Sequence, residues 1–117
     1  DKSLKLAHKF AKYGKVCGFG LDQIKAKPVD IVINATSASI AGKMPEIASG
    51  VAEGAICYDL MYGVRTPFMK WAYENSALKV SDGLGMLVEQ AASSFAFWHG
   101  KTPQTQPVIN LLREKGD

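Results

Sequence analysis

Leu4, Leu6, Ala7, Phe10 and Ala11 recur at the spacing that lays apolar side chains along one face of a helix, and Gly14 follows as a stop. Lys2, Lys5, Lys9, Lys12 and Lys15 interleave with them every three or four residues, a stripe that reads as a solvated helix face. The pattern then shortens. Val16 to Phe19 is an apolar run between Gly14 and Gly20 and predicts a strand. Leu21 to Lys27 leaves room for one helical turn, which Pro28 ends. Val29 to Asn34 is rich in β-branched residues, as buried strands are. Ala35 to Gly42 is a loop of small residues, Pro45 to Ser49 predicts a short helix, and Ala55 to Leu60 predicts the next strand. Thr66-Pro67 is a strong helix start, threonine suiting the N-cap and proline the first helical position. That helix runs through Trp71 to about Glu74, and Ala77 to Val80 follows as a strand. Asp82 caps a long helix from Gly83 to about Trp98, ended by Gly100 and Pro103, and a last helix covers about Gln106 to Lys115. Strands alternating with helices predict an α/β fold with a parallel sheet and crossover helices.

Composition narrows the class. With 117 residues the chain is one domain at most, and 47% hydrophobic with 21% charged residues is a globular balance. The net charge of +3 comes from scattered lysines, and the only arginines are Arg65 and Arg113, so no nucleic-acid partner is expected. No apolar run approaches the length that spans a bilayer, and no membrane partner or signal peptide is expected. Cys17 and Cys57 lie far apart inside apolar runs, without metal or redox spacing, which predicts buried free thiols suited to a reducing cytoplasm. The chain opens on Asp1, inside a helical pattern and without a methionine, which reads as a truncated product.

Three clusters carry candidate chemistry. On the long helix, Leu84, Leu87, Val88, Ala91, Phe95 and Trp98 form one apolar face, and Gly83, Met86 and Gln90 form a second line a quarter turn away. That second line starts at the helix N-terminus, where unpaired N–H groups favour negative charge, and it either lines a cleft or is a helix edge of mixed composition. Asn34-Ala35-Thr36-Ser37 follows a strand, where open α/β sheets bind ligands, and it suits either a nucleotide or an ordinary turn. In Tyr58-Asp59-Leu60-Met61-Tyr62, alternation puts the two tyrosines and Leu60 on one face. Asp59 at that strand end reads as structural, fixing the turn that follows. No role is assigned to His8 or His99, and no metal site is expected.

Together these motifs resemble the shikimate dehydrogenase family. Val-Asp-Ile-Val-Ile-Asn-Ala-Thr-Ser at 29–37, Tyr-Asp-Leu-Met-Tyr at 58–62, Arg-Thr-Pro-Phe at 65–68, Asp-Gly-Leu-Gly-Met-Leu-Val-Glu-Gln-Ala-Ala at 82–92 and Phe-Trp-His-Gly at 97–100 occur in the family's order and at family-like separations. The Asp-Gly-Leu-Gly-Met-Leu run with its following glutamine is the most specific of them.

The resemblance implies part of a Rossmann-like doubly wound parallel sheet with flanking helices, residues 1–117 forming a partial NADP-binding domain with carboxy-terminal helices. It implies that Asn34, Ala35, Thr36 and Ser37 lie along the NADP pyrophosphate and ribose. Leu60, at a position where the family commonly has methionine, Gly83 and Met86 would border the nicotinamide, and Tyr62 and Gln90 would reach shikimate or 3-dehydroshikimate. The family's amino-terminal substrate domain with its lysine and aspartate pair, its glycine-rich loop and its asparagine-arginine pair for the 2′-phosphate have no counterpart in this sequence, so no catalytic residue is assigned and the chain alone is expected to be inactive. An NAD-dependent quinate/shikimate dehydrogenase and a non-catalytic binding remnant are the alternative readings.

Overall fold

The computed structural model of the protein describes residues 2–115. At its centre, β1 (Ile31–Asn34), β2 (Ile56–Asp59) and β3 (Lys79–Ser81) form a parallel sheet in sequence order. Ile31 stands opposite Ile56, Asn34 opposite Asp59, and Ile56 opposite Lys79. Because strand side chains alternate, this register puts Val32, Cys57 and Val80 on one face and Ile31, Ile33 and Ile56 on the other. The first face is covered by α2 (Pro67–Glu74), the crossover from β2 to β3. Phe68 and Ala72 of α2 are buried with Ala52, Ala55 and Cys57, and three alanines at this contact let backbone approach backbone. On the opposite face Ile31, Ile33 and Ile56 stay exposed.

α2 starts where its cap dictates. The Thr66 hydroxyl accepts from the Met69 N–H at 3.2 Å, and Pro67 occupies the first turn. α3 (Leu84–His99) follows β3, and α4 (Gln106–Glu114) packs against it. At the amino end, α1 (Lys2–Phe10) runs into a 3-10 turn at Ala11–Tyr13 and buries none of its residues, so its lysines do face water.

Several expectations are corrected. Val16 to Phe19 forms no strand; no strand pairs with it among the described residues, and without a partner its backbone gains no ladder. Gly18 instead lies against the Ser3 backbone, and Cys17, expected to be buried, is exposed. Only Cys57 is a buried thiol. Pro45 to Ser49 forms no helix either. Five residues are too few to repay helix nucleation, and the β1–β2 connection holds only 3-10 turns, at Ser39–Ala41 and Ser49–Val51. The turn read within Leu21 to Lys27 is a 3-10 turn at Leu21–Gln23.

The apolar face of α3 divides. Leu84 and Val88 are buried, joined by Ala92, while Ala91 and Phe95 are exposed and Trp98 is 74% exposed. α3 packs chiefly against α4, and the nine residues of α4 leave part of a 16-residue helix uncovered. No helix among the described residues is long and apolar enough to cross a membrane.

Candidate functional site at the carboxyl ends of the strands

The register that pairs Asn34 with Asp59 brings the last residues of β1 and β2 side by side, both buried. Two polar groups cannot lie there unpaired without a large desolvation cost, and they are paired. Asn34 Nδ2 donates to Ser39 Oγ at 2.9 Å and to Asp59 Oδ1 at 3.3 Å. Asn34 Oδ1 accepts from the Thr36 N–H at 3.1 Å and the Thr36 hydroxyl at 2.8 Å. The Asp59 carboxylate also accepts from Ser39 Oγ at 3.2 Å, Thr66 Oγ1 at 2.5 Å and the Met61 N–H at 3.1 Å. Asp59 thus fixes the turn after β2, as its position in the sequence suggests. Beside it in β2, burial pushes the Cys57 thiol pKa up from its ordinary value.

Backbone bonds tie in the third segment. The Leu60 N–H donates to Asn34 O at 3.1 Å, and the Gly83 N–H donates to Met61 O at 2.9 Å. Gly83 is buried, and a Cβ there would run into the Leu60 carbonyl. The Asp82 carboxylate accepts from the Leu84 N–H at 3.4 Å, but the N-cap of α3 is Gly83, which has no side chain to cap with, so the expected cap at Asp82 is corrected by one residue. The Asp82 carboxylate also accepts from both Arg113 nitrogens, at 2.9 and 3.5 Å, which anchors α4 over the start of α3.

Asn34, the Ala35–Ser37 loop, Leu60 and Gly83 are therefore gathered in one continuous patch. Ala35, Thr36 and Ser37 are exposed, Leu60 is half-buried, and Met86 is 40% exposed one turn into α3. Gln90, a further turn along, is exposed. Tyr62 is 48% exposed and lies beyond the end of β2, where strand alternation no longer applies. It borders a cleft of about 720 Å³ with Arg65, Met69, Leu84, Leu87 and Arg113, a cleft that does not include Gln90. Sequence reasoning missed Ser39 and the second role of Thr66. Ser39 lies twenty residues from the carboxylate it meets, and only the strand register brings the two together. No group of three or more His, Cys, Asp or Glu suited to a metal occurs among the described residues.

Parallel strands with their polar loops gathered at the carboxyl ends define a Rossmann-like α/β module. Residues 83–113 match the family described as "Shikimate 5'-dehydrogenase C-terminal domain". The shikimate dehydrogenase (NADP(+)) of Ruthia magnifica is 63% identical over 112 residues, 96% of this chain and 42% of that protein. That of Chromobacterium violaceum is 47% identical over 115 residues, 97% of this chain and 42% of that one. Among solved structures, an Ael1 enzyme from Pseudomonas putida superposes with a TM-score of 0.86 at 38% identity, over 96% of this chain and 42% of that chain. A shikimate dehydrogenase in complex with NADP+ gives a TM-score of 0.76 at 29% identity, over 97% of this chain and 42% of that chain. The chain is similar to the carboxy-terminal portion of shikimate dehydrogenases, and it spans about two-fifths of the length of these relatives.

Proposed function

We propose that this chain is the second half of the cofactor-binding domain, with the terminal helices, of an NADP-dependent shikimate dehydrogenase of the cytoplasm. The reaction is the reversible reduction of 3-dehydroshikimate to shikimate, a step toward chorismate and the aromatic amino acids. The observation that carries this reading is the patch that joins residues 34–37, Leu60 and Gly83 at the carboxyl ends of parallel strands, in a chain 63% identical over 112 residues to a relative named for this activity.

The chemistry of the patch suits a dinucleotide. Residues 35–37 are exposed and carry small side chains, with an uncommitted hydroxyl at Ser37, as phosphate and ribose require. Half-buried Leu60 and half-exposed Met86 offer an apolar wall to a flat ring, and the missing side chain at Gly83 keeps the start of α3 close to that wall. Asn34 orders the loop, Ser37 presents a hydroxyl, and the exposed Tyr62 and Gln90 would supply a phenol and an amide to the polar substrate. NADPH, when bound, supplies the hydride. By the resemblance, the proton would come from the family's lysine and aspartate pair, which has no counterpart in these 117 residues, so turnover is assigned to a longer polypeptide. Relatives named for NADP(+) favour that cofactor over NAD.

The test is NADPH oxidation with 3-dehydroshikimate. The full-length polypeptide carrying this sequence turns over, and Tyr62→Phe and Gln90→Ala each raise KM for 3-dehydroshikimate about tenfold. The 117-residue chain alone does not turn over. No turnover by the full-length polypeptide, or turnover by the isolated chain, overturns the proposal.

A further inference from the structure

We infer that Asp59 is a positioning residue for the cofactor loop, and that Asn34 serves the loop as an internal tie while Ser37 is its ligand-facing side chain. The inference rests on the functional reading above and assigns the roles of residues within that site.

Hydrogen-bond capacity decides it. A primary amide has two N–H donors and an oxygen with two acceptor sites. Both acceptor sites of Asn34 are taken by Thr36, and its Nδ2 donates to Ser39 and Asp59. The side chain is 4% exposed, so nothing of it is left for a ligand. The Thr36 hydroxyl donates to Asn34 and accepts from the Ala38 N–H at 3.3 Å, so it too is engaged inside the loop. Ser37 differs. It is exposed, and its hydroxyl takes part in none of the hydrogen bonds that order the loop. It is the one side-chain hydroxyl of residues 34–37 that a phosphate or ribose can claim at no cost to loop geometry.

The carboxylate of Asp59 is equally committed. It accepts four hydrogen bonds, about its full capacity. Two come from the loop side, Asn34 and Ser39, and two from the turn side, Met61 and Thr66. The segments between which the cofactor lies therefore share one buried anchor. A shift of either is transmitted to the other, because a fully occupied buried carboxylate cannot lose a donor cheaply. Replacing Asp59 with asparagine keeps the shape but turns one acceptor oxygen into a donor facing two hydroxyls. The loop and the Leu60–Tyr62 turn then lose their common register without any ligand contact being removed.

The experiment compares Asp59→Asn, Ser39→Ala and Ser37→Ala in the full-length polypeptide. The readouts are kcat, KM for NADPH and for 3-dehydroshikimate, melting temperature, and NADP+ affinity by fluorescence titration. Asp59→Asn raises KM for NADPH tenfold or more, lowers kcat, and shifts KM for 3-dehydroshikimate less. Ser39→Ala, which removes one strand of the network and leaves the fold standing, does the same about threefold. Ser37→Ala weakens NADPH binding with no change in melting temperature. If Asp59→Asn or Ser39→Ala lowers only the melting temperature, with kinetic constants unchanged within twofold, the anchor is merely structural and the inference falls. It falls equally if Ser37→Ala leaves NADPH binding untouched. Should the wild-type polypeptide show no turnover, the functional proposal fails by itself, and the same comparison is then decided on NADP+ affinity.

Discussion

Gly83 and Leu60 meet backbone to backbone: the Gly83 Cα faces the Leu60 carbonyl with no room for a side chain between them. The start of α3 is thereby set against the turn after β2. Gly83→Ala must push the two apart, an overpacking that costs about 1–3 kcal/mol. Urea unfolding of the two proteins checks this. An unchanged midpoint would mean that one of the segments yields freely and that the contact does not fix the site.

Thr66 has two partners that a helix-start motif predicts only in part. Its oxygen caps α2 at Met69, and its hydroxyl proton goes to Asp59. Thr66→Ala removes a cap and leaves a buried carboxylate short of a donor, which together cost about 2–4 kcal/mol. Thr66→Ser, keeping both bonds, restores most of it. Denaturant midpoints of the three proteins separate the cases, and an alanine variant as stable as the serine variant contradicts the second bond.

Where the local pattern carried its own physics, the sequence was a good guide. The β-branched run ending at Asn34, the Thr66-Pro67 start and the long helix after Asp82 all occur within a residue or two of their expected bounds. Two of the failures share one cause. Val16 to Phe19 has the composition of a strand, but a strand exists only with a partner, and a partner is not a local property. Phe95 and Trp98 continue the apolar period of α3, but period says which residues share a face and not whether anything covers it. At the candidate site, the motifs marked Asn34 and Gly83. The carboxylate that joins the loops, and its meeting with Ser39, follow from strand register across twenty or more residues.

Arg113 ties the last helix back to the first turn of α3 through two bonds to Asp82. The arginine side chain is 53% exposed, so the pair contributes about 0.5 kcal/mol to global stability, less in high salt. Its effect is local. Arg113→Ala should speed amide hydrogen exchange across Gln106–Glu114 severalfold while β2 is unaffected. Uniform acceleration over the whole chain would point to a global role instead.

The two thiols differ in access. Cys17 is exposed, and Cys57 is buried with its pKa raised by that burial. A thiolate reagent at neutral pH should label Cys17 within minutes and Cys57 only as fast as the fold opens. The raised pKa also fixes the sign of a pH effect. The folded state holds the neutral thiol, so this contribution to stability is intact below the unfolded pKa and is lost as pH rises through the folded value. Cys57→Ala should flatten the alkaline side of the stability profile. Equal labelling rates for the two cysteines would contradict the burial of Cys57.

Among the described residues β1 pairs with β2 along one side only, and its other edge presents unpaired N–H and C=O groups. Ile31 and Ile33, 58% and 62% exposed, add an apolar strip on the face that α2 does not cover. An open edge beside an apolar strip is a template for a further strand, and in a solution of this chain by itself the available strand is another copy. The isolated chain should therefore self-associate, with a weight-average mass by light scattering that climbs above 12.6 kDa with concentration. Ile33→Lys puts a charge into the strip at an already exposed position, so it should lower the association and leave the unfolding free energy within about 0.5 kcal/mol. A wild-type chain that stays monomeric at high concentration would show that the edge is blunted. Association unchanged by the lysine would move the contact to the exposed Phe97 and Trp98 of α3.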